Sequence, residues 1–164
     1  MKIILFGGSG FLGKPLIPML LASGHNVSLV TRRPEQLRNE FPQSVEIVPW
    51  SSRQGLAPAI EGSDAIINLS GESIGAKRWS AKRKAAILSS RIDTTRAIVD
   101  AIGKTSKRPS VFLNASAVGY YGNVDNDEVT ESYRPGNDFL ADVCIRWENE
   151  ARKAEQFGVR VVLP

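Results

Sequence analysis

The chain carries 164 residues, 42% of them hydrophobic and 23% charged, with a net charge of +4. That length suits one soluble domain, 1–164, able to bury roughly 70% of its unfolded surface, and no apolar run approaches the roughly 20 residues of a membrane span. One cysteine, Cys144, and one histidine, His25, exclude an internal disulfide, leave little for a transition-metal site, and fit a reducing cytoplasm.

Lys2–Phe6 is a short apolar run that predicts the first strand. It opens into Gly7-Gly8-Ser9-Gly10-Phe11-Leu12-Gly13, and an apolar helical pattern then runs to about Ser23, where Gly24 stops it. Strand, glycine turn and helix N-terminus in that order form a phosphate cradle, because backbone N–H groups and the helix dipole both favour an anion there. Gly7 permits the tight turn, Gly10 lets a pyrophosphate approach the backbone, and Gly13 lets the helix lie close on the strand. The first gap is one residue wider than in the dehydrogenase fingerprint. An ordinary strand–helix turn is the plain alternative, and the N-terminal strand context favours a dinucleotide. Pro18 removes a helical hydrogen bond and is placed to kink the helix.

Val27–Thr31 predicts strand two, followed by Arg32-Arg33 and a short helix from Pro34 to about Glu40. Val45–Val48 is strand three, ended by Pro49-Trp50, and Leu56–Ile60 is a helical turn. Ala65–Leu69 is strand four, nearly all apolar, as a strand buried on both faces requires. After the loop Ser70–Trp79 comes a long helix, about Ser80 to Ile102, and then strand five, Val111–Ala115. The polar loop Ser116–Asp138 is too long for a mere connection and suggests an active-site rim. Helix Phe139–Phe157 ends at Gly158, and Val159–Leu163 begins strand six. This alternation predicts an α/β, Rossmann-like, doubly wound parallel sheet with helices on both faces and right-handed crossovers. Pro164 closes a strand that no helix follows, which reads as the end of a fragment whose substrate region is missing.

The end of strand two separates the two nicotinamide cofactors. An acid there binds the ribose 2′-OH of NAD, whereas arginine accommodates the 2′-phosphate of NADP. Thr31-Arg32-Arg33 carries two guanidiniums and no acid, so NADP is the expected cofactor, against the alternative of a basic turn in solvent. Leu69-Ser70-Gly71, after Asn68, ends strand four with small residues suited to close contact with the adenosine side. On the long helix, Leu88, Ile92, Ile98, Val99 and Ile102 form an apolar stripe that includes Arg91. An arginine on that face needs a partner: a cofactor phosphate or ribose, an internal acid, or solvent at the helix edge. Lys77, Arg78, Lys82, Arg83 and Lys84 read as a solvated helix start rather than a nucleic-acid surface, since only Trp79 is interleaved.

These residues together resemble the extended short-chain dehydrogenase/reductase superfamily, its NAD(P)-dependent epimerase/dehydratase group, and more narrowly the YfcH-like "epimerase family" branch. The resemblance is carried by Phe6–Gly13, Val30–Pro34, Asn68–Glu72, Ser90-Arg91 with Thr94-Thr95, Ala115–Gly122, Gly136–Ala141 and Trp147-Glu148. It implies NADP contacts at the glycine loop, Thr31-Arg32, Leu69-Ser70 and Arg91, a C-terminal substrate region, and dimerisation through helices 80–102 and 139–157. It also implies a Tyr-x-x-x-Lys dyad, which this chain lacks at Tyr120, Tyr121 and Tyr133: the residues four on are Val124, Asp125 and Asn137. Phe139 and Val143 stand at the corresponding helix start. Ser116 and Tyr121 are then the candidate catalytic residues, Ser116 orienting a substrate hydroxyl or carbonyl. An unassisted phenol, with a pKa of about 10, is a weak acid for Tyr121's part, and packing at the loop base is the alternative. The expected activity is an NADP-dependent oxidoreductase or epimerase acting on a small substrate of nucleotide-sugar type; a non-catalytic NADP-binding sensor or scaffold is the rival.

Overall fold

Central strands of a parallel sheet must be apolar on both faces, and β1 (Lys2–Phe6) meets that demand, with Ile4, Leu5 and Phe6 fully buried. A computed structural model of the chain describes residues 1–50, 55–124 and 128–164. Six parallel strands form one sheet in the order β3-β2-β1-β4-β5-β6, where β2 is Asn26–Thr31, β3 Glu46–Pro49, β4 Ala65–Asn68, β5 Val111–Asn114 and β6 Arg160–Val162. This is the doubly wound order, and the sheet's direction of growth reverses between β1 and β4. The expected Rossmann-like α/β fold is present, with strand limits within one or two residues of those read from the sequence.

Alternation along the strands divides the core between the two faces. Ile4, Phe6, Val30, Ile66 and Phe112 pack with Ile98 and Ile102 of helix α4 (Ala81–Lys104), with Leu56 and Ile60 of α3 (Leu56–Ile60), and with Ala151 of α5 (Phe139–Arg152). Leu5, Val27 and Leu29 face the other way, against Ile17 of α1 (Gly13–Ala22) and Leu37 of α2 (Pro34–Leu37). Helix α1 runs unbroken through Pro18, which is exposed, so the carbonyl that loses its partner lies on the solvent side. Gly24 ends it with φ +76°, as expected of a glycine after a helix. The expected helix 139–157 divides into α5 and a 3-10 segment, Lys153–Phe157, before Gly158 at φ +79°. Among the described residues no helix is long and apolar enough to cross a membrane.

A buried polar knot joins the two layers at the carboxyl ends of β4 and β5. Asn68 Nδ2 donates to Thr95 Oγ1 (3.1 Å) and Asn114 Oδ1 (2.7 Å), and the Thr95 hydroxyl donates to Asn114 Oδ1 (3.2 Å). Trp147 Nε1 on α5 donates to Thr95 Oγ1 at 2.9 Å. The outer groups turn to the chain beyond the strands: Asn68 Oδ1 accepts from the Ser70 N–H (3.1 Å), and Asn114 Nδ2 donates to the Ala115 carbonyl (2.9 Å). Lower on the same helix pair, Glu150 has an 8% exposed side chain. It takes both oxygens to Arg96 (3.2 and 3.3 Å) and one to Lys153 (2.8 Å). Burial alone would raise the Glu150 carboxyl, but the Lys153 and Arg96 hydrogen bonds outweigh it and hold the group below the ordinary carboxylate range.

Two outcomes follow from these contacts. Thr95→Val keeps the shape but removes the shared acceptor from Asn68 and Trp147, and should lower unfolding free energy by about 1–3 kcal/mol in urea titrations. Glu150→Gln should be less stable than the parent at pH 7. A depressed carboxyl stabilises the fold above its unfolded pKa, about 4.3, and that contribution disappears as pH falls through the folded value. The gap between the two melting curves should therefore close in acid.

Candidate functional site

At the reversal between β1 and β4 the chain leaves β1 through Gly7, whose φ of +77° requires glycine. A Cβ there would lie 2.6 Å from the Leu69 carbonyl carbon, so the loop is pressed against the end of β4. The Gly10 N–H donates to the Gly7 carbonyl at 3.0 Å, and a Cβ on Gly10 would meet only that oxygen, leaving its outer side open to an approaching group. Gly13 serves a different contact from the one expected. Its Cβ would fall 2.3 Å from Gly8 Cα, so the start of α1 packs on the glycine turn itself rather than on the strand. Gly8 is a further close-packed glycine that the spacing did not single out; a Cβ on it would enter the core 2.6 Å from Leu29 Cδ1 and 2.8 Å from Leu5 Cδ2, so those side chains would have to shift. The doubled Gly7-Gly8 was its only signal. No side chain caps α1; the Lys14 N–H donates to the Gly10 carbonyl (3.1 Å) and the Leu16 N–H to the Leu12 carbonyl (3.3 Å), and Pro15 has none, so an external anion has only the N–H groups ahead of Lys14 to meet.

A cleft of about 340 Å³ opens over this turn. Three of the expected segments line it together: Gly7, Ser9 and Gly10; Thr31, Arg32 and Arg33; Leu69, Ser70 and Gly71. The Thr31 hydroxyl accepts the Arg33 N–H at 3.1 Å, turning both arginines out past the end of β2. Both are exposed, and neither makes an ion pair among the described residues. Trp50, Glu72, Ser90 and Thr94 also line the cleft, and sequence reasoning missed them. Trp50 follows β3 directly; its N–H donates to the Thr31 carbonyl at 2.7 Å and its ring stands edge-on to Phe6 at 5.9 Å. An aromatic at the carboxyl end of a parallel strand was the available clue.

Phe11 and Leu12, expected at the cofactor, are 93% and 60% exposed and do not line the cleft; Gly13 is buried beneath it. None of the three contributes a side chain to the cleft. Arg91 stands behind the wall rather than in it. Its Nη1 donates to the carbonyls of Glu72 and Ile87, each at 3.1 Å, and its guanidinium lies 5.2 Å from the Trp147 ring. A Cβ on Gly71 would be 2.9 Å from Arg91 Cζ, so the arginine supports Gly71 directly. Burial lowers its pKa, opposed by the nearby Cys144 and Glu72. The basic cluster is not uniformly solvated either. Arg83 is only 12% exposed and pairs with Glu72 at 2.7 Å, while Lys84 lies over the Trp79 and Phe139 rings.

Beyond β5, the Ser116 hydroxyl donates to Glu148 Oε1 of α5 at 2.5 Å. In the sequence Glu148 stood out only within the Trp147-Glu148 stretch; Asp138 is the helix N-cap, accepting the Ala141 N–H at 2.8 Å. Cys144, one turn before Glu148, is buried with its thiol 3.8 Å from the Ala117 carbonyl. Burial and then Glu148 push the thiol up, and Arg91 opposes them. Tyr121 belongs to a 3-10 turn, Val118–Tyr121, and its ring packs edge-on between Tyr120 (5.2 Å) and Tyr133 (6.2 Å). The expected rim is pinched at its base, where the Gly136 N–H donates to the Tyr120 carbonyl at 2.9 Å. Residues 125–127 of that rim lie outside the described residues.

With this geometry in view, comparison with known proteins is informative. The NAD dependent epimerase/dehydratase family matches residues 3–163. The epimerase family protein YfhF of Bacillus subtilis is 39% identical over 165 residues, covering 99% of this chain and 53% of that protein. The human epimerase family protein SDR39U1, whose crystal structure is with NADPH, superposes with a TM-score of 0.80 at 29% identity, covering 99% of this chain and 52% of that one. A nucleoside-diphosphate sugar epimerase from Corynebacterium glutamicum gives 0.77 at 27%, covering 99% and 33%. The chain spans about half the length of the curated relatives it matches. Glycine turn, doubly wound sheet and family match agree: the chain belongs to the NAD dependent epimerase/dehydratase family.

Proposed function

We propose that the chain, 1–164, is the cofactor-binding unit of an NADP-dependent oxidoreductase or epimerase of the YfcH-like branch, acting on a small substrate of nucleotide-sugar type. The observation that carries this reading is that Arg32 and Arg33 line the same cleft as Gly7 and Gly10, with no acid at the end of β2. Two planar guanidiniums beside a glycine turn suit a phosphate on the adenosine ribose. The NADPH carried by human SDR39U1 supports the choice.

In this reading Ser9, Gly10 and the backbone N–H groups of Phe11, Leu12 and Gly13, at the entry to α1, hold the pyrophosphate. Thr31, Arg32 and Arg33 take the 2′-phosphate, and Leu69, Ser70 and Gly71 form the adenosine-side wall that Arg91 props from behind. The cofactor, when bound, supplies or accepts a hydride. Ser116 orients the substrate oxygen, its own proton directed to Glu148, and Tyr121 is the second candidate for the chemistry. A sensor or scaffold without turnover is the competing reading, favoured by the missing lysine four residues after each of Tyr120, Tyr121 and Tyr133.

Calorimetric titration should show NADPH binding more tightly than NADH. Arg32→Ala should weaken NADPH by about 10- to 100-fold, the worth of a charge-assisted hydrogen bond, and leave NADH unchanged. Equal affinities for the two cofactors in the parent protein would overturn the 2′-phosphate reading. Tight NADPH binding with no turnover on a panel of nucleotide sugars would select the sensor.

A further inference from the structure

Glu72 is out of place by simple charge logic. It lines the same cleft as Arg32 and Arg33, so an anionic ligand entering there would meet a carboxylate, and an unliganded Arg32 has a carboxylate within its field. Both groups line one cleft, so a Glu72 carboxylate free to turn is a competitor for the guanidinium meant for a phosphate.

Helix α4 holds Glu72 back at three points. Ser90 Oγ accepts the Glu72 N–H at 3.0 Å, and Arg91 Nη1 donates to its carbonyl at 3.1 Å, so the backbone is fixed. Arg83 takes the side chain: its Nη1 donates to Glu72 Oε1 at 2.7 Å and its Nη2 to the Ser73 carbonyl. The Glu72 carboxyl is held below its ordinary range first by that Arg83 hydrogen bond, with Arg32 a weaker and more distant influence.

Arg83 is an expensive way to cap this helix. It sits in the first turn of α4, where the dipole disfavours a cation. Its Nε is buried and has no hydrogen-bond partner among the described residues. The helix start already has a side-chain cap, since Ser80 Oγ accepts the Arg83 N–H at 3.2 Å. Helix stability therefore does not account for the guanidinium, whereas sequestering Glu72 does.

We propose that Arg83 is a specificity-positioning residue: by holding the Glu72 carboxylate on the α4 side of the cleft, it keeps Arg32 available for the cofactor's 2′-phosphate. The proposal rests on the NADP reading above. It adds that selectivity for the phosphorylated cofactor depends on a residue outside the cleft, acting through Glu72. Without Arg83 the carboxylate turns to Arg32, competes with the 2′-phosphate and repels it. NADH, which lacks that group, is indifferent to the exchange.

Isothermal titration of NADPH and NADH against the parent, Arg83→Gln, Glu72→Gln and the double variant tests it, with Arg32→Ala as reference and thermal melts to confirm folding. Arg83→Gln should weaken NADPH about three- to fivefold, the range of an exposed ion pair, and leave NADH unchanged. Adding Glu72→Gln should restore NADPH binding. If Arg83 merely braces the loop, both cofactors weaken together and the double variant stays weak, which overturns the proposal. An unchanged NADPH-to-NADH ratio in a folded Arg83→Gln also overturns it. If Arg32→Ala itself does not discriminate the cofactors, the NADP reading fails and the proposal falls with it; if Arg32→Ala does and Arg83→Gln does not, only the proposal fails.

Discussion

The Thr95 hydroxyl is the contact on which the site's shape depends. It accepts from Asn68 and Trp147 and donates to Asn114, so one side chain on α4 fixes the carboxyl ends of two strands and the facing helix. All of its partners are buried, where an unmade hydrogen bond is far more costly than in water. From the knot outward, Asn68 receives the Ser70 N–H and sets the wall of the cleft. Asn114 holds the first step of the chain beyond β5, toward Ser116. The wall of the cleft and the Ser116 end of β5 thus share one rigid reference.

Charge is arranged around that reference with unusual economy. Arg32 and Arg33 line the cleft with no ion-pair partner among the described residues, while Arg91 donates to two backbone carbonyls and stacks near Trp147. Arg83 is committed to a carboxylate and a carbonyl. Arginines close together in space therefore differ in what they have left to offer an anion, and net charge alone, +4 over the chain, says nothing of that division.

The parallel, doubly wound sheet and the glycine turn were legible in the sequence because both are written in local patterns, apolar strand runs alternating with helical ones and a run of chain-reversing glycines. The cleft's other residues were not. Trp50 follows β3, Glu72 lies beyond β4, and Ser90 and Thr94 share one face of α4, and no local spacing rule brings these three segments to one wall. The helical wheel placed Arg91 on the correct face of α4 but could not give its reach, which ends on carbonyls and Gly71. Leu88 and Ile92, read as part of the inward stripe, are only half-buried, and the fully buried position is Ile87. Ser116 was singled out for its position after β5, but its partnership with Glu148 depends on the α5–β5 packing that only the folded chain displays.

The chain's single cysteine has a practical consequence. Cys144 is buried and its thiol is held protonated by its surroundings, and reagents that need a thiolate find none on the native surface at neutral pH. A thiol introduced at Phe11, almost wholly exposed beside the glycine turn, would be the one reactive sulfur on the molecule. A single spectroscopic label could then report on the cradle without any further engineering of the background.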